Sequence, residues 1–116
     1  MMFALIKDST NLDMYRDIPE VFGATKEEVE VYKGDWDDGV MLCENLLPAV
    51  DERIEGCLLD LSDIDYFDKS KCIILNSILC DKLKEPCSER LHELYTILND
   101  FVKRAINMDT GVVIEL

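Results

Sequence analysis

The chain has 116 residues, 48% of them hydrophobic, and 25 acidic against 12 basic residues give it a formal net charge of -13. This length predicts a single domain over residues 1–116, and the apolar fraction predicts a folded chain. Such a charge argues against binding nucleic acid or an anionic membrane by simple attraction, so we expect any macromolecular partner to be basic.

The negative charge is concentrated in one part of the chain. Between Asp8 and Asp68 there are 18 acidic and 4 basic residues, whereas the remaining residues include 7 acidic and 8 basic ones. A need for solubility explains a high charge but not its uneven distribution, which a binding surface for a basic partner does explain. Both explanations stay open.

The cysteines and the first residues indicate the compartment. The thiols are odd in number, include no Cys-x-x-Cys pair and lie mostly among apolar residues, which favours buried, free cysteines in a reducing cytoplasm. They are Cys43, Cys57, Cys72, Cys80 and Cys87. The start, MMFALIKD, lacks the charged segment and long apolar run of a signal peptide. No apolar run approaches the roughly 20 residues of a membrane span, so we expect a cytoplasmic protein.

The first predicted element in chain order is a buried strand over Met2–Ile6, because this short run is entirely apolar. Residues 9–22 carry apolar side chains three or four positions apart and predict one short helix, which Pro19 limits. Residues 23–34 combine the capping box Thr25-Lys-Glu-Glu with the alternation of a strand, and they predict a turn or a short helix.

The middle of the chain predicts a helix, a strand and a second helix. Apolar residues first recur at steps of four and three, the spacing of one helical face. They are Trp36, Val40, Cys43, Leu47, Val50 and Ile54. Pro48 removes a backbone donor, so this helix is expected to break or restart there. Residues 56–61, GCLLDL, predict a strand, and Ser62 is expected to cap a helix that reaches about Leu83.

The last part of the chain completes the predicted fold. Pro86 separates that helix from the next, which Ser88 is expected to cap and whose wide apolar stripe makes it the clearest helix in the chain. A turn at Asp109 and a strand over residues 112–116 follow. The order is therefore strand, helices, strand, helices, strand. Long helical crossovers between short strands predict an α/β fold with a parallel sheet.

Few residues suggest catalysis. His92 is the only histidine, and no cysteine or histidine lies near it at metal-ligand spacing, so we expect it at the surface of its helix. A group of aspartates follows the second predicted strand, where α/β proteins bind ligands, but caps and solvated turns also explain it. The group comprises Asp60, Asp63, Asp65 and Asp68. We expect no enzyme activity, no bound metal and no cofactor.

The densest motif is YKGDWDD, which begins at Tyr32 and combines two aromatic residues with three carboxylates. Asp35 and Asp37 lie where a helix is predicted to begin, so their carboxylates can accept hydrogen bonds from free backbone N–H groups. A rigid aromatic beside fixed negative charge is also what a surface needs to bind a basic partner. Capping alone, and capping together with binding, stay open as interpretations.

The motif Tyr32-x-Gly34-Asp35-x-x-Asp38, followed by an apolar helix with Cys43, resembles the binding segment of barstar-like ribonuclease inhibitors. The length of chain before the motif and the final helix, turn and strand are also similar. The resemblance implies the fold of that family, a small three-stranded parallel sheet flanked by helices. It also implies that Tyr32, Gly34 and Asp38 lie in a partner interface.

The chain departs from the family within this motif. Trp36 and Asp37 replace an asparagine–leucine pair, and the family's second aspartate, which enters the partner's catalytic site, falls at Leu42. Glu44, Asp35 or Asp37 is expected to take over that role. The resemblance implies an acidic immunity protein, or antitoxin, of bacterial competition. It would neutralise a basic nuclease, in this family a ribonuclease, by occluding its active site or nucleic-acid cleft. The expected partner-binding residues are Tyr32, Gly34, Asp35, Trp36, Asp37, Asp38 and Glu44.

A competing resemblance is carried by residues 57–70, CLLDLSDIDYFDKS, which are similar to the strand–loop–helix of STAS domains. In some members of that family a serine at the helix start is phosphorylated, and Ser70 takes that position here. The family's glycine after this serine is Lys71 in this chain. The resemblance implies a regulatory protein-binding module as the alternative function.

Overall fold

The computed structural model describes residues 1–57 and 59–116. Its strands are β1 (Met2–Ile6), β2 (Met14–Tyr15), β3 (Ile18–Pro19), β4 (Val29–Lys33), β5 (Ile64–Phe67) and β6 (Val112–Glu115). Its helices are α1 (Trp36–Asn45), α2 (Leu47–Arg53), α3 (Lys69–Lys84) and α4 (Glu89–Asn107). No helix in these two ranges is both long enough and apolar enough to cross a membrane.

The main sheet has four strands in the order β4-β1-β6-β5, and each neighbouring pair is antiparallel. Helices and strands are mixed as predicted, but the three-stranded parallel sheet implied by the barstar-like resemblance is wrong. The connections between strands give the reason. A single helix between two strands brings the chain back to the end of the sheet where the first strand began, so the two strands run parallel. Here both α3 and α4 lie between β5 and β6, so β6 enters the sheet from the opposite end.

The two faces of the sheet are covered differently. Side chains alternate along β1, so Phe3 and Leu5 point into the main core with the helices, whereas Ala4 and Ile6 point to the opposite face. Apolar residues of the segment 7–28, which contains β2 and β3, cover those on the opposite face. The helices therefore occupy one side of the sheet and an irregular segment the other.

Residues 9–22 do not form the predicted helix. Instead, β2 and β3 form a hairpin whose turn residues, Arg16 and Asp17, have φ values of 50° and 66°. Two consecutive left-handed residues make the tight turn that suits antiparallel strands. For residues 23–34 a turn or a short helix was predicted. A turn forms before Val29, where the Thr25 N–H donates to the Glu28 carboxylate at 2.7 Å, but Val29–Lys33 form the strand β4, so the prediction is wrong for that part.

The strand predicted over residues 56–61 is also wrong. Leu58 lies outside the described residues, and the other residues of this range form turns or irregular backbone. The strand forms at Ile64–Phe67, where a helix capped by Ser62 was predicted. Its β-branched and aromatic residues pair with β6. The cap of α3 is Asp68, whose carboxylate accepts a first-turn N–H at 3.0 Å.

The remaining predicted elements are confirmed. β1 and β6 form where the apolar runs indicated, and α3 ends within one residue of Leu83. The helix from Trp36 breaks at Leu46, immediately before the helix that contains Pro48. Ser88 caps α4, its hydroxyl accepting the Leu91 N–H at 3.2 Å.

The cysteines are free, as predicted, but the prediction that they are buried holds only for Cys72. Cys72 is fully buried, its thiol donates to the Phe67 carbonyl at 3.2 Å, and burial raises its pKa to about 12. Cys87, at the start of α4, is exposed. Chemical reactivity is therefore expected at Cys87 and not at Cys72.

Candidate partner-binding surface

The predicted motif forms the junction between β4 and α1. Asp35 is the N-cap of α1, and its Oδ1 accepts the Asp38 N–H at 2.9 Å. In return, Oδ2 of Asp38 accepts the Asp35 N–H at 3.1 Å, which completes a reciprocal capping box. Capping was predicted for Asp35 and Asp37, and it is performed by Asp35 and Asp38.

Arg90 of α4 fixes this junction from the other end of the chain. Its Nε donates to Asp38 Oδ1 at 2.9 Å and its Nη2 to Asp38 Oδ2 at 2.7 Å, in the two-pronged geometry that suits guanidinium and carboxylate. The same Nη2 donates to the Tyr32 hydroxyl at 3.2 Å. Arg90 therefore ties together the end of β4 and the start of α1.

The Asp38–Arg90 pair has a clear electrostatic consequence. Asp38 is only 3% exposed, yet hydrogen bonds from Arg90 hold the pKa of its carboxyl below the usual value, and they outweigh the opposing effect of burial. The same bonds raise the pKa of Arg90. Asp38 is thus a charged residue whose charge is satisfied inside the protein.

Gly34 and Tyr32 shape the same junction. A Cβ on Gly34 would lie 2.6 Å from Asp38 Oδ2 and 2.6 Å from Cε of Met1, so only glycine fits without displacing the capping carboxylate. The Tyr32 ring stacks on Phe3 of the core, with ring centroids 5.9 Å apart. These two residues hold the backbone and the capping carboxylate in place.

The outward-facing part of the junction is aromatic and acidic. Trp36, the first residue of α1, is 60% exposed and lies outside the core. Asp35 and Asp37 on either side of it are exposed, as is Glu44. Glu44 follows Asp37 by seven residues, which places both on one helical face about 10 Å apart along the axis. We call these four residues the acidic surface.

The structure thus divides the seven predicted site residues into two groups. Asp35, Trp36, Asp37 and Glu44 form the acidic surface, while Tyr32, Gly34 and Asp38 lie behind it and position it. Arg90 was not predicted from the sequence. It lies 52 residues from Asp38, so no local pattern links the two. The one feature of the local sequence that could have pointed to Arg90 is its position two residues after Ser88, the N-cap of α4.

Two of the four aspartates considered for a metal have other partners. Asp65 accepts the Tyr66 N–H at 2.9 Å and lies 3.9 Å from the Lys71 ammonium, while Asp68 caps α3. No group of histidine, cysteine and acidic residues in residues 1–57 and 59–116 could hold a metal ion. His92 is exposed on α4.

Comparisons of the chain with protein-family models, with curated proteins and with solved structures found no match. The function must therefore be inferred from the chemistry of the surface. Exposed carboxylates on a fixed helix start can pair with lysine and arginine, and an exposed indole can stack on their cationic groups. This combination suits the binding of a basic protein.

Proposed function

We propose that this protein is an acidic inhibitor of the immunity type, which binds a basic nuclease toxin through the acidic surface and neutralises it. The observation that carries the proposal is the exposure of Trp36 between two exposed carboxylates, on a junction that Arg90 and the capping box hold in one conformation. Binding to a fixed surface loses less conformational entropy than binding to a mobile one.

The mechanism follows from charge and shape. The acidic stretch between Asp8 and Asp68 attracts a basic protein over a distance and raises the rate of encounter. Carboxylates of the acidic surface then pair with the cationic groups that hold RNA phosphates in a ribonuclease. Trp36 provides the apolar anchor at the centre of the contact. The protein acts in the cytoplasm by occlusion, without catalysis and without a cofactor.

Variants that change the surface but not its support test the proposal. Trp36→Ala removes the anchor. Asp35→Asn combined with Asp37→Asn removes two charges, and asparagine keeps the N-cap. The matched control is Glu52→Gln with Glu55→Gln, because both residues are exposed, lie in the same acidic stretch and are outside the acidic surface.

Each tagged protein is used to capture partners from cells that produce it naturally, and the captured fraction is assayed for ribonuclease activity. We expect the wild type and the control to capture a basic ribonuclease, and either surface variant to capture about tenfold less of it. The captured ribonuclease should be released as the salt concentration rises. Equal capture by all variants would reject the acidic surface. Capture of no basic protein at any salt concentration would reject the function. If Ser70→Asp alone abolished capture, the regulatory module would be favoured instead.

A further inference from the structure

β4 is an edge strand of the main sheet. The Gly34 N–H donates to the Met1 carbonyl at 3.0 Å. Together with the register of β1 and β4, this bond shows which residues of β4 direct their backbone groups toward β1. Because bonding direction alternates along a strand, Val31 and Lys33 direct their N–H and C=O groups away from the sheet. No backbone group of the described residues meets these outward groups. The edge is open to another strand.

The opposite edge of the sheet is less open. β5 has only four residues, and its outward Tyr66 N–H already donates to the Asp65 carboxylate at 2.9 Å. An added strand would have to displace this bond. A side chain that occupies an edge N–H protects a sheet from pairing with other chains. β4 is therefore the edge on which an added strand gains most hydrogen bonds.

An apolar groove lies beside β4, on the face of the sheet that the helices do not cover. The groove has a volume of about 830 Å³ and is lined by Met2, Val31 and Ile64 of the sheet and by Tyr15 and Phe22 of the irregular segment. Val31 is 40% exposed and Phe22 is fully exposed. A strand added to β4 would direct every second side chain to this face of the sheet, and those beside Val31 and Lys33 would lie at the β4 end of the groove.

The other flank of β4, toward α4, carries excess negative charge. Two arginines of α4 lie there, and each contacts two carboxylates. The contacts are Arg90 with Asp38 and Glu93, and Arg104 with Glu30 and Asp100. Each cluster has two negative charges for one positive, so this flank attracts cationic side chains. On the groove side, Lys33 lies with Glu20 and Glu115, so it is the apolar lining and not charge that favours apolar side chains there.

We propose that an extended segment of the basic partner adds to β4 as an antiparallel strand. Its apolar side chains lie over the groove, and its alternate, basic side chains face the carboxylates beside α4. This inference rests on the proposed function in taking the partner to be basic, but not in taking it to be a nuclease. β4 leads through Gly34 directly into Trp36, so the strand and the acidic surface form one continuous interface.

Charge favours pairing of β4 with a basic segment of a partner over pairing with a second copy of this chain. A second copy would bring its own stretch between Asp8 and Asp68, with 18 acidic and 4 basic residues, against the same stretch of the first. Like charges on that scale repel. A basic segment gains the same backbone hydrogen bonds and also attraction.

Amide hydrogen exchange of the full chain, measured by NMR, tests the inference with a short synthetic peptide that alternates valine and lysine. We expect the exchange of the Val31 and Lys33 amides to slow by about tenfold at saturating peptide. In an antiparallel pair, the peptide residues that bond to Val31 share its face, which is the groove face. N-methylation of the peptide's valines should therefore abolish the effect, whereas N-methylation of its lysines should leave it.

Val31→Pro provides the matching change in the protein, because it removes an outward N–H and leaves the bonds to β1 intact. We expect an unchanged circular dichroism spectrum and no peptide effect. A valine–glutamate peptide that protects the same amides equally, or protection that survives methylation of the valines, would overturn the inference. Protection that appears without peptide and grows with protein concentration would assign the edge to a second copy.

The two proposals can fail separately. If the peptide has no effect while a basic ribonuclease is still captured through Trp36, only the added strand is rejected. If the peptide protects Val31 and Lys33 but no ribonuclease is captured, only the nuclease target is rejected.

Discussion

Replacing Asp38 with alanine tests how the acidic surface is held in place. The Asp38 carboxylate is 3% exposed and accepts two bonds from Arg90, at 2.9 and 2.7 Å, and one from the Asp35 N–H, at 3.1 Å. The Arg90 side chain is 39% exposed, so water would replace part of what it loses. Taking each Arg90 bond at the low end for charged groups, Asp38→Ala should lower the free energy of unfolding by about 3 kcal/mol.

Urea unfolding at pH 7 measures this loss directly. For a domain of this size, a loss of about 3 kcal/mol corresponds to a fall of about 10 °C in Tm. Asp37→Ala is the matched control, since Asp37 is adjacent and, unlike Asp38, exposed. It should change stability by less than about 0.5 kcal/mol. A loss below about 1 kcal/mol for Asp38→Ala would refute the role assigned to the Arg90 pair.

The difference in unfolding free energy between wild type and Asp38→Ala should depend on pH, because the pKa of Asp38 is lowered in the folded protein. Because that pKa lies below its usual value of 3.8 in the folded state, the carboxylate stabilises the fold fully above pH 3.8. The contribution is lost as the pH falls through the lower, folded value. The unfolding free energies of wild type and Asp38→Ala should therefore converge in acid. A difference that stays constant down to about pH 2 would contradict this.

The remaining predictions concern packing and thiol reactivity. Gly111→Ala should destabilise the protein by about 3 kcal/mol in urea unfolding, because its Cβ would collide with the Phe67 carbonyl oxygen. Gly39→Ala, whose Cβ meets nothing closer than 3.4 Å, should be neutral or stabilising, so equal losses would contradict the packing described. A thiol reagent should modify Cys87 rapidly and leave Cys72 unmodified in the native protein, and equal rates would contradict their assigned burial.

Secondary structure was predicted correctly where the hydrophobic spacing of a segment is compatible with only one type of element. The run Met2–Ile6 is too short for a helix, and the long stripe of α4 is too regular for a strand. In β5, by contrast, Ile64 and Phe67 lie three residues apart, which a helix also permits. Pairing with β6, at the far end of the chain, decides the structure there. The hairpin at Arg16 likewise depends on backbone conformations that apolar spacing does not reveal.

The candidate site was predictable in part for the same reason. The capping box joins Asp35 and Asp38, which are three residues apart, so its chemistry can be read from the motif. The partner of Asp38 is Arg90, and only the folded chain brings them together. The exposure of Trp36 could not be predicted either, because Trp36 lies at the helical spacing of Val40, Cys43 and Leu47, which predicted one apolar face, whereas α1 buries Asp38, Gly39 and Leu42. The division between supporting and outward-facing residues therefore required the structure.

The most direct test of the proposed function is a titration of ribonuclease activity. Basic proteins from cells that produce this protein are collected on a cation exchanger, and RNA hydrolysis by that fraction is measured as purified protein is added. We expect the activity to fall to a plateau at a defined stoichiometry with wild type and with the Glu52→Gln, Glu55→Gln control. The Trp36→Ala variant should require about tenfold more protein for the same inhibition. Ribonuclease activity that is unchanged at every concentration of the wild-type protein would contradict the inhibitor function.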